Sequence, residues 1–261
     1  MADAVLKTKK IGKSFDTNKG IKKVLDDISI DVDEHEFVCI MGPSGCGKST
    51  LIRIMEGIES SDTGQVLLEN VPLPKRPEKS IQKNFGIVFQ LDNLLEWKTV
   101  YKNTELPLAA FHMKDKMNSQ KRVMEMLQLV GLWDFKDCYP KELSGGMKQR
   151  AAIARAMVTD PKILMLDQPF GALDAITRRM LNVELLRIWN ETKKTCVMIT
   201  NNVEEAMYLG QRVIVLSKSP AKIVEEIKIP FSYEEKTGDV TENKEYLSIR
   251  GKLQGLIRSL D

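Results

Sequence analysis

The nine residues GPSGCGKST at 42–50 constrain this chain more than any other stretch. They follow the apolar, strand-like EFVCIM at 36–41 and precede LIRIMEGI, which has helical character. The pattern G-x-x-x-x-G-K-[ST] carries its meaning only in that strand–loop–helix setting. Glycines 42, 45 and 47 let backbone N–H groups converge on phosphate oxygens without a side chain in the way. A helix starting near Lys48 points its positive end at the same place. Gly42, Pro43, Ser44, Gly45, Cys46, Gly47, Lys48, Ser49 and Thr50 are therefore expected to form a phosphate cradle. Lys48 would reach the β and γ phosphates, and the Ser49 hydroxyl would ligate Mg²⁺.

The remaining pattern suits such a unit. Short apolar runs at 36–41, 84–89, 162–167, 195–200 and 211–216 end at turn signals and alternate with helical stretches. This predicts an α/β fold with a mainly parallel sheet. Segments 4–15, 23–32 and 64–71 have shorter alternations and predict an antiparallel β subdomain. From about 95 to 160 the pattern is helical, which predicts a helical lobe inserted into a sheet domain spanning 1–230. Residues 231–246 read as a polar loop. Beyond them Tyr246, Ile249, Leu253, Leu256 and Leu260 recur at helical spacing, a stripe that would dock on the chain's own core or on a partner subunit.

Composition removes several classes. The 39 basic and 36 acidic residues nearly cancel, so a nucleic-acid partner is not expected. Four cysteines show no metal-site pairing, and Cys39 and Cys196 sit inside apolar runs, which suits a reducing cytosol. The start MADAVLKTKK lacks an apolar secretion core. No apolar run reaches the roughly 18 residues that would suggest a membrane span.

The run KILMLDQPFGALD at 162–174 delivers Asp167 to the end of a buried strand. Paired with an upstream phosphate loop, that aspartate is expected to hold Mg²⁺ opposite Ser49. The stretch LSGGMKQR at 143–150 then opens an alanine-rich helix. Ser144 with Gly145 and Gly146 would present free N–H groups and a positive helix end, a second phosphate site.

These motifs in this order resemble the P-loop ATP-binding cassette of ABC transporters, over roughly residues 4–230. The resemblance implies a head-to-tail dimer of cassettes, in which one copy's signature closes on ATP held by the other's P-loop. The partner cassette would be identical or an asymmetric relative. The resemblance also implies that Gln90 touches Mg²⁺ or the attacking water, that Phe15 stacks on adenine, and that Asp174 reaches across the dimer. Phe15 reads equally as a core phenylalanine.

Two residues depart from the family. A glutamate base is expected after Asp167, and the chain has Gln168; a switch histidine is expected after TCVMIT, and the chain has Asn201, with Asn202 in place of the usual aspartate. An amide cannot accept a proton at neutral pH, so tight ATP binding with slow hydrolysis is expected. The glutamine reads as an exchange that traps the ATP-bound state, as natural asymmetry between unequal partners, or as both.

The stretch QLDNLLEWKTVYKN at 90–103, with GALDAITR at 171–178, is similar to importers of nitrate, sulfonates, taurine and bicarbonate. Such cassettes sit on the cytoplasmic face of the membrane, bound to two permease subunits and served by an external solute-binding protein. Leu94, Leu95 and Trp97 would line a cleft for a permease helix or pack inside the helical lobe. The other classes weighed are a nonhydrolytic ATP-gated clamp and a soluble ABC ATPase of repair or translation. A GTPase is disfavoured because no N-K-x-D motif follows the P-loop.

Overall fold

The computed structural model describes residues 4–18, 20–75, 77–113, 115–238 and 240–260. The chain divides into two compact units, Met1–Glu78 with Lys193–Asp261, and Lys79–Thr192.

The first unit begins with strands β1 (Ala4–Thr17), β2 (Gly20–Asp33) and β3 (Phe37–Met41), then helix α1 (Lys48–Met55) and strands β4 (Thr63–Leu68) and β5 (Val71–Pro72). Strands β2, β1, β4 and β5 form an antiparallel sheet in that order. In β2, Ile28, Ile30 and Val32 are buried while their neighbours face outward, the alternation of a sheet covered on one face. All five residues of β3 are buried, as in a parallel strand covered on both faces.

The second unit holds α2 (Lys79–Gln82), β6 (Phe85–Val88), α3 (Val100–Ala110), α4 (Lys116–Leu129), α5 (Gly145–Met157), β7 (Ile163–Asp167) and α6 (Ala175–Thr192). Strands β6 and β7 pair in parallel, and α3, α4 and α5 pack on one another.

The chain then returns to the first unit with β8 (Thr195–Ile199), α7 (Val203–Leu209), β9 (Arg212–Leu216), β10 (Ile223–Lys228), α8 (Tyr233–Thr237) and α9 (Lys244–Leu260). Strand β3 lies between β8 and β9, parallel to both, and β10 adds antiparallel to β9.

The five apolar runs read as buried strands are β3, β6, β7, β8 and β9. Strand β10 carries IVEEIK, with three charges in six residues; such polar strands blunt an exposed edge and leave no apolar signature. The loop expected at 231–246 contains α8. Its start was written in the sequence as a capping box, with the Ser232 hydroxyl accepting from Glu235 N and the Glu235 carboxylate from Ser232 N. Of the apolar stripe of α9, Tyr246 and Leu253 are buried in the chain's own core, where α9 packs against α7, while Ile249, Leu256 and Leu260 are half-buried. No helix among the described residues is long and apolar enough to cross a membrane.

Candidate functional site

The loop after β3 has an unusual backbone. Gly42, Gly45 and Gly47 have φ of 155°, 73° and 120°. A Cβ on Gly42 would lie 2.8 Å from the Leu216 carbonyl oxygen at the end of β9. One on Gly47 would lie 2.7 Å from Val24 Cγ1 and 2.9 Å from Leu25 Cδ2 on β2. Glycine is required at both, by conformation and by space.

Helix α1 opens directly from this loop. Gly47 brings no side chain to cap it, whereas the side chains of Thr99, Asp115, Ser144 and Asn202 cap α3, α4, α5 and α7. An uncapped helix start with left-handed glycines beside it suits an anion. Lys48 completes the cradle. The residue is 4% exposed and its ammonium donates to the Gly42 and Pro43 carbonyl oxygens at 2.6 and 2.8 Å, so its charge lies within the loop itself. Ser44 and Gly45 are exposed, Pro43 is buried, and Ser49 and Thr50 are partly buried. Cys46 is buried, and burial pushes its thiol pKa up.

Asn201 belongs to the same edge of this sheet. Ile199 pairs with Ile40, and Thr200 N donates to the Ile40 carbonyl, so Asn201 leaves its strand beside the loop that leaves β3. Its neighbours are locked. Asn202 caps α7, its side-chain oxygen accepting from Glu204 N at 2.8 Å and Glu205 N at 3.3 Å. Thr200 Oγ1 accepts from Asn202 N and donates to the Glu205 carboxylate.

Phe15 is 37% exposed, which sets aside the core reading. It pairs with Lys22 in the hairpin whose Val24 and Leu25 press on Gly47, and the Lys13 ammonium lies 5.1 Å from its ring centre.

In the second unit, Val88 pairs with Leu166, which carries Gln90 and Gln168 off the ends of adjacent strands. A Cβ on Gly171 would stand 3.5 Å from Gln90 Nε2 and 3.7 Å from Gln168 Cβ, so both glutamines border one spot. Gln168 has φ of 47° and its carbonyl accepts from Gly171 N, a tight turn directly after Asp167.

The signature glycines have a packing reason. A Cβ on Gly145 would be 3.1 Å from Leu173 Cδ2, and one on Gly146 3.0 Å from Thr177 Cγ2. Ser144 and Gly145 are exposed. The Ser144 hydroxyl caps α5 by accepting from Met147 N at 3.3 Å, one position beyond the glycine pair. Asp174 also works locally. Its carboxylate accepts from Thr177 N and Ile176 N at the start of α6, and the Thr177 hydrogen bonds hold it below the usual carboxylate range.

Trp97 is 73% exposed and so does not pack inside the helical lobe, while Leu94 is buried. Asn103, fully buried, holds this loop by bonds to Leu95 N, Leu95 O and Lys98 O. Sequence reasoning passed over Arg155. From α5 it donates to the carbonyls of Asp92 (2.5 Å) and Asn93 (2.7 Å), anchoring the loop after Gln90. An arginine in an alanine-rich helix gives no hint of that reach.

Among the described residues, no group of three or more His, Cys, Asp or Glu side chains could hold a metal by itself. The Ser49 hydroxyl and the Asp167 carboxylate are hard oxygen donors of the kind Mg²⁺ takes.

Comparison with known proteins agrees. The family model described as ABC transporter matches residues 25–171. The chain is 38% identical over 251 residues to the aliphatic sulfonates import ATP-binding protein of Bacillus cereus, covering 95% of this chain and 96% of that one. It is 39% identical over 243 residues to the nitrate import ATP-binding protein of Synechococcus elongatus, covering 92% and 86%. Among solved structures it is similar to a dimeric ATP-binding cassette in a post-hydrolysis state with ADP and Pi, at a TM-score of 0.75 and 33% identity over 87% of this chain and 100% of that one. With a glycine-cradled helix start, a buried lysine and these relatives along nearly its whole length, the chain belongs to the ABC transporter family, as an ATP-binding cassette.

Proposed function

We propose that this chain is the energy-coupling subunit of an importer, binding Mg–ATP firmly and hydrolysing it slowly at its own P-loop. The observation that supports binding is the buried Lys48 ammonium inside a loop whose helix start has no side-chain cap. In this reading backbone N–H groups of the loop and the Lys48 ammonium grip the β and γ phosphates, while Phe15 meets the adenine. Ser49, Asp167 and Gln90 would hold Mg²⁺, which would supply positive charge to offset that of the phosphates. Gln168 orients the attacking water through its amide but cannot take the proton. A positioned base is worth 10²–10⁴ in rate, roughly 3–5 kcal/mol of barrier. Asn201 meets the nucleotide without the imidazole that the family pattern expects there.

A second cassette supplies Ser144, Gly145 and Gly146 to the ATP, and Asp174 shapes the turn beside that contact. Contacts made only in the closed pair shift the population toward closure, and loss of the γ-phosphate releases it. Two permease subunits hold the pair at the cytoplasmic face of the membrane, and the exposed Trp97 belongs to the surface they meet. An external binding protein supplies the solute, of the small-anion kind named for the relatives.

Gln168 and Asn201 together favour one other reading, a nonhydrolytic ATP-gated clamp. Affinity purification of the tagged chain from its host separates the two. Recovery of membrane permease subunits supports the importer; their absence while ATP is still bound supports the clamp.

A further inference from the structure

The segment that follows β10 grips α7 at both ends. At the C-terminal end, Lys236 of α8 is 4% exposed, and its ammonium donates to the Gly210 carbonyl at 2.6 Å. Gly210 itself is pressed against the sheet, since a Cβ there would lie 3.0 Å from Cys39 Sγ and 2.7 Å from the Ala206 carbonyl. At the N-terminal end, Arg250 of α9 pairs with Glu204 at 2.6 Å. Between these fastenings lies an apolar contact: Tyr246 is buried with its ring 5.6 Å from that of Phe231, and Leu253 is fully buried.

Helix α7 in turn fixes the Asn201 corner. Its cap is Asn202, and its Glu205 binds Thr200 on the other side of Asn201. A buried ammonium is costly unless its acceptor stands in one place, so Lys236 specifies the position of Gly210 more sharply than an apolar side chain would. A chain of contacts therefore runs from α8 and α9 through α7 to the residue where the family carries its switch histidine.

We propose that α8 and α9 form a strap on α7 that positions Asn201 at the nucleotide, with Lys236 and Arg250 as positioning residues. This inference rests on the reading that Asn201 faces bound ATP. Loosening the strap releases the corner without touching the P-loop, so ATP would be held less firmly by an otherwise intact cradle. The same route makes the strap a place from which the site can be regulated.

The test compares the parent chain with Lys236→Met, Arg250→Ala and Arg250→Lys, by hydrogen exchange of amides 201–209 and by the Kd for Mg–ATP. Lys236→Met is expected to speed exchange across 203–209 about tenfold and Arg250→Ala about threefold, with 37–41 still protected. ATP binding should weaken about threefold in both, and Arg250→Lys should restore both readouts. Parent-like exchange in both variants overturns the strap, and so does faster exchange with unchanged ATP affinity. If Lys236→Met does not fold, the surface pair Arg250–Glu204 still decides through Arg250→Ala and its lysine rescue. A parent chain that fails to bind Mg–ATP overturns the importer reading instead, and exchange at 201–209 then decides the strap alone.

Discussion

Gln90 and Gln168 stand at the ends of paired strands, two residues beyond the Val88–Leu166 pair, and border the same space beside Gly171. The amides these two side chains carry can each hold a water molecule by donating and accepting hydrogen bonds. Neither can remove its proton.

Gln168→Glu supplies the missing base at almost constant size. ATP turnover should rise by about 10²-fold, the lower end of what a base contributes, because Asn201 still departs from the family. Phosphate release under saturating Mg–ATP measures it. Turnover unchanged by the exchange would show that proton removal is not what limits this site.

Gly47→Ala should damage both fold and binding. The new methyl would meet Val24 and Leu25 at under 3 Å, with φ at 120°. Strain of this kind costs on the order of 2–3 kcal/mol. Denaturant unfolding would register the loss, and ATP binding should fall with it. A variant as stable as the parent would mean that the β1–β2 hairpin moves aside freely.

Stability should rise with pH because of Lys236. Burial lowers its pKa from 10.5 to about 8. Below pH 8 both folded and unfolded chains carry the proton. Between 8 and 10.5 the folded chain has released it and the unfolded chain has not, so folding is favoured increasingly across that window. The gain is at most about 3 kcal/mol. Buried Cys39, with a thiol pKa pushed up to about 12, and buried Cys196, also raised, oppose the trend above pH 9. The difference between parent and Lys236→Met cancels the thiols: it should grow in the parent's favour from pH 7.5 to 10, and a constant difference in urea unfolding would refute it.

Asn202→Ala should cost about 1 kcal/mol by removing the α7 cap, whereas Asn202→Asp keeps the acceptor and should cost much less. Thermal unfolding of the three chains distinguishes them. Equal losses in both variants would mean that the amide's own donors matter more than its oxygen.

Much of this was legible in the sequence, for physical reasons. Buried parallel strands must be apolar on both faces, so β3, β7, β8 and β9 could be read as short runs. The cradle was legible because positive φ and close backbone approach leave glycine as the residue that fits. What stayed hidden were relations between distant side chains and backbone. Arg155 on the Asp92 carbonyl and Lys236 on Gly210 are ordinary basic residues until the fold brings an acceptor to them. Strand β10 was hidden because an edge strand that resists pairing with strangers must look polar.

Ser144 already holds the amide of Met147 with an oxygen lone pair. Its hydroxyl proton then has its direction limited by that bond and remains available for an outside acceptor. The first turn of α5 is thus formed on its own, and a visiting oxyanion would meet a capped helix start instead of a loop still to be ordered. Little entropy would be lost at that end of the encounter, so the lifetime of a closed pair would depend on what happens beside Gln168.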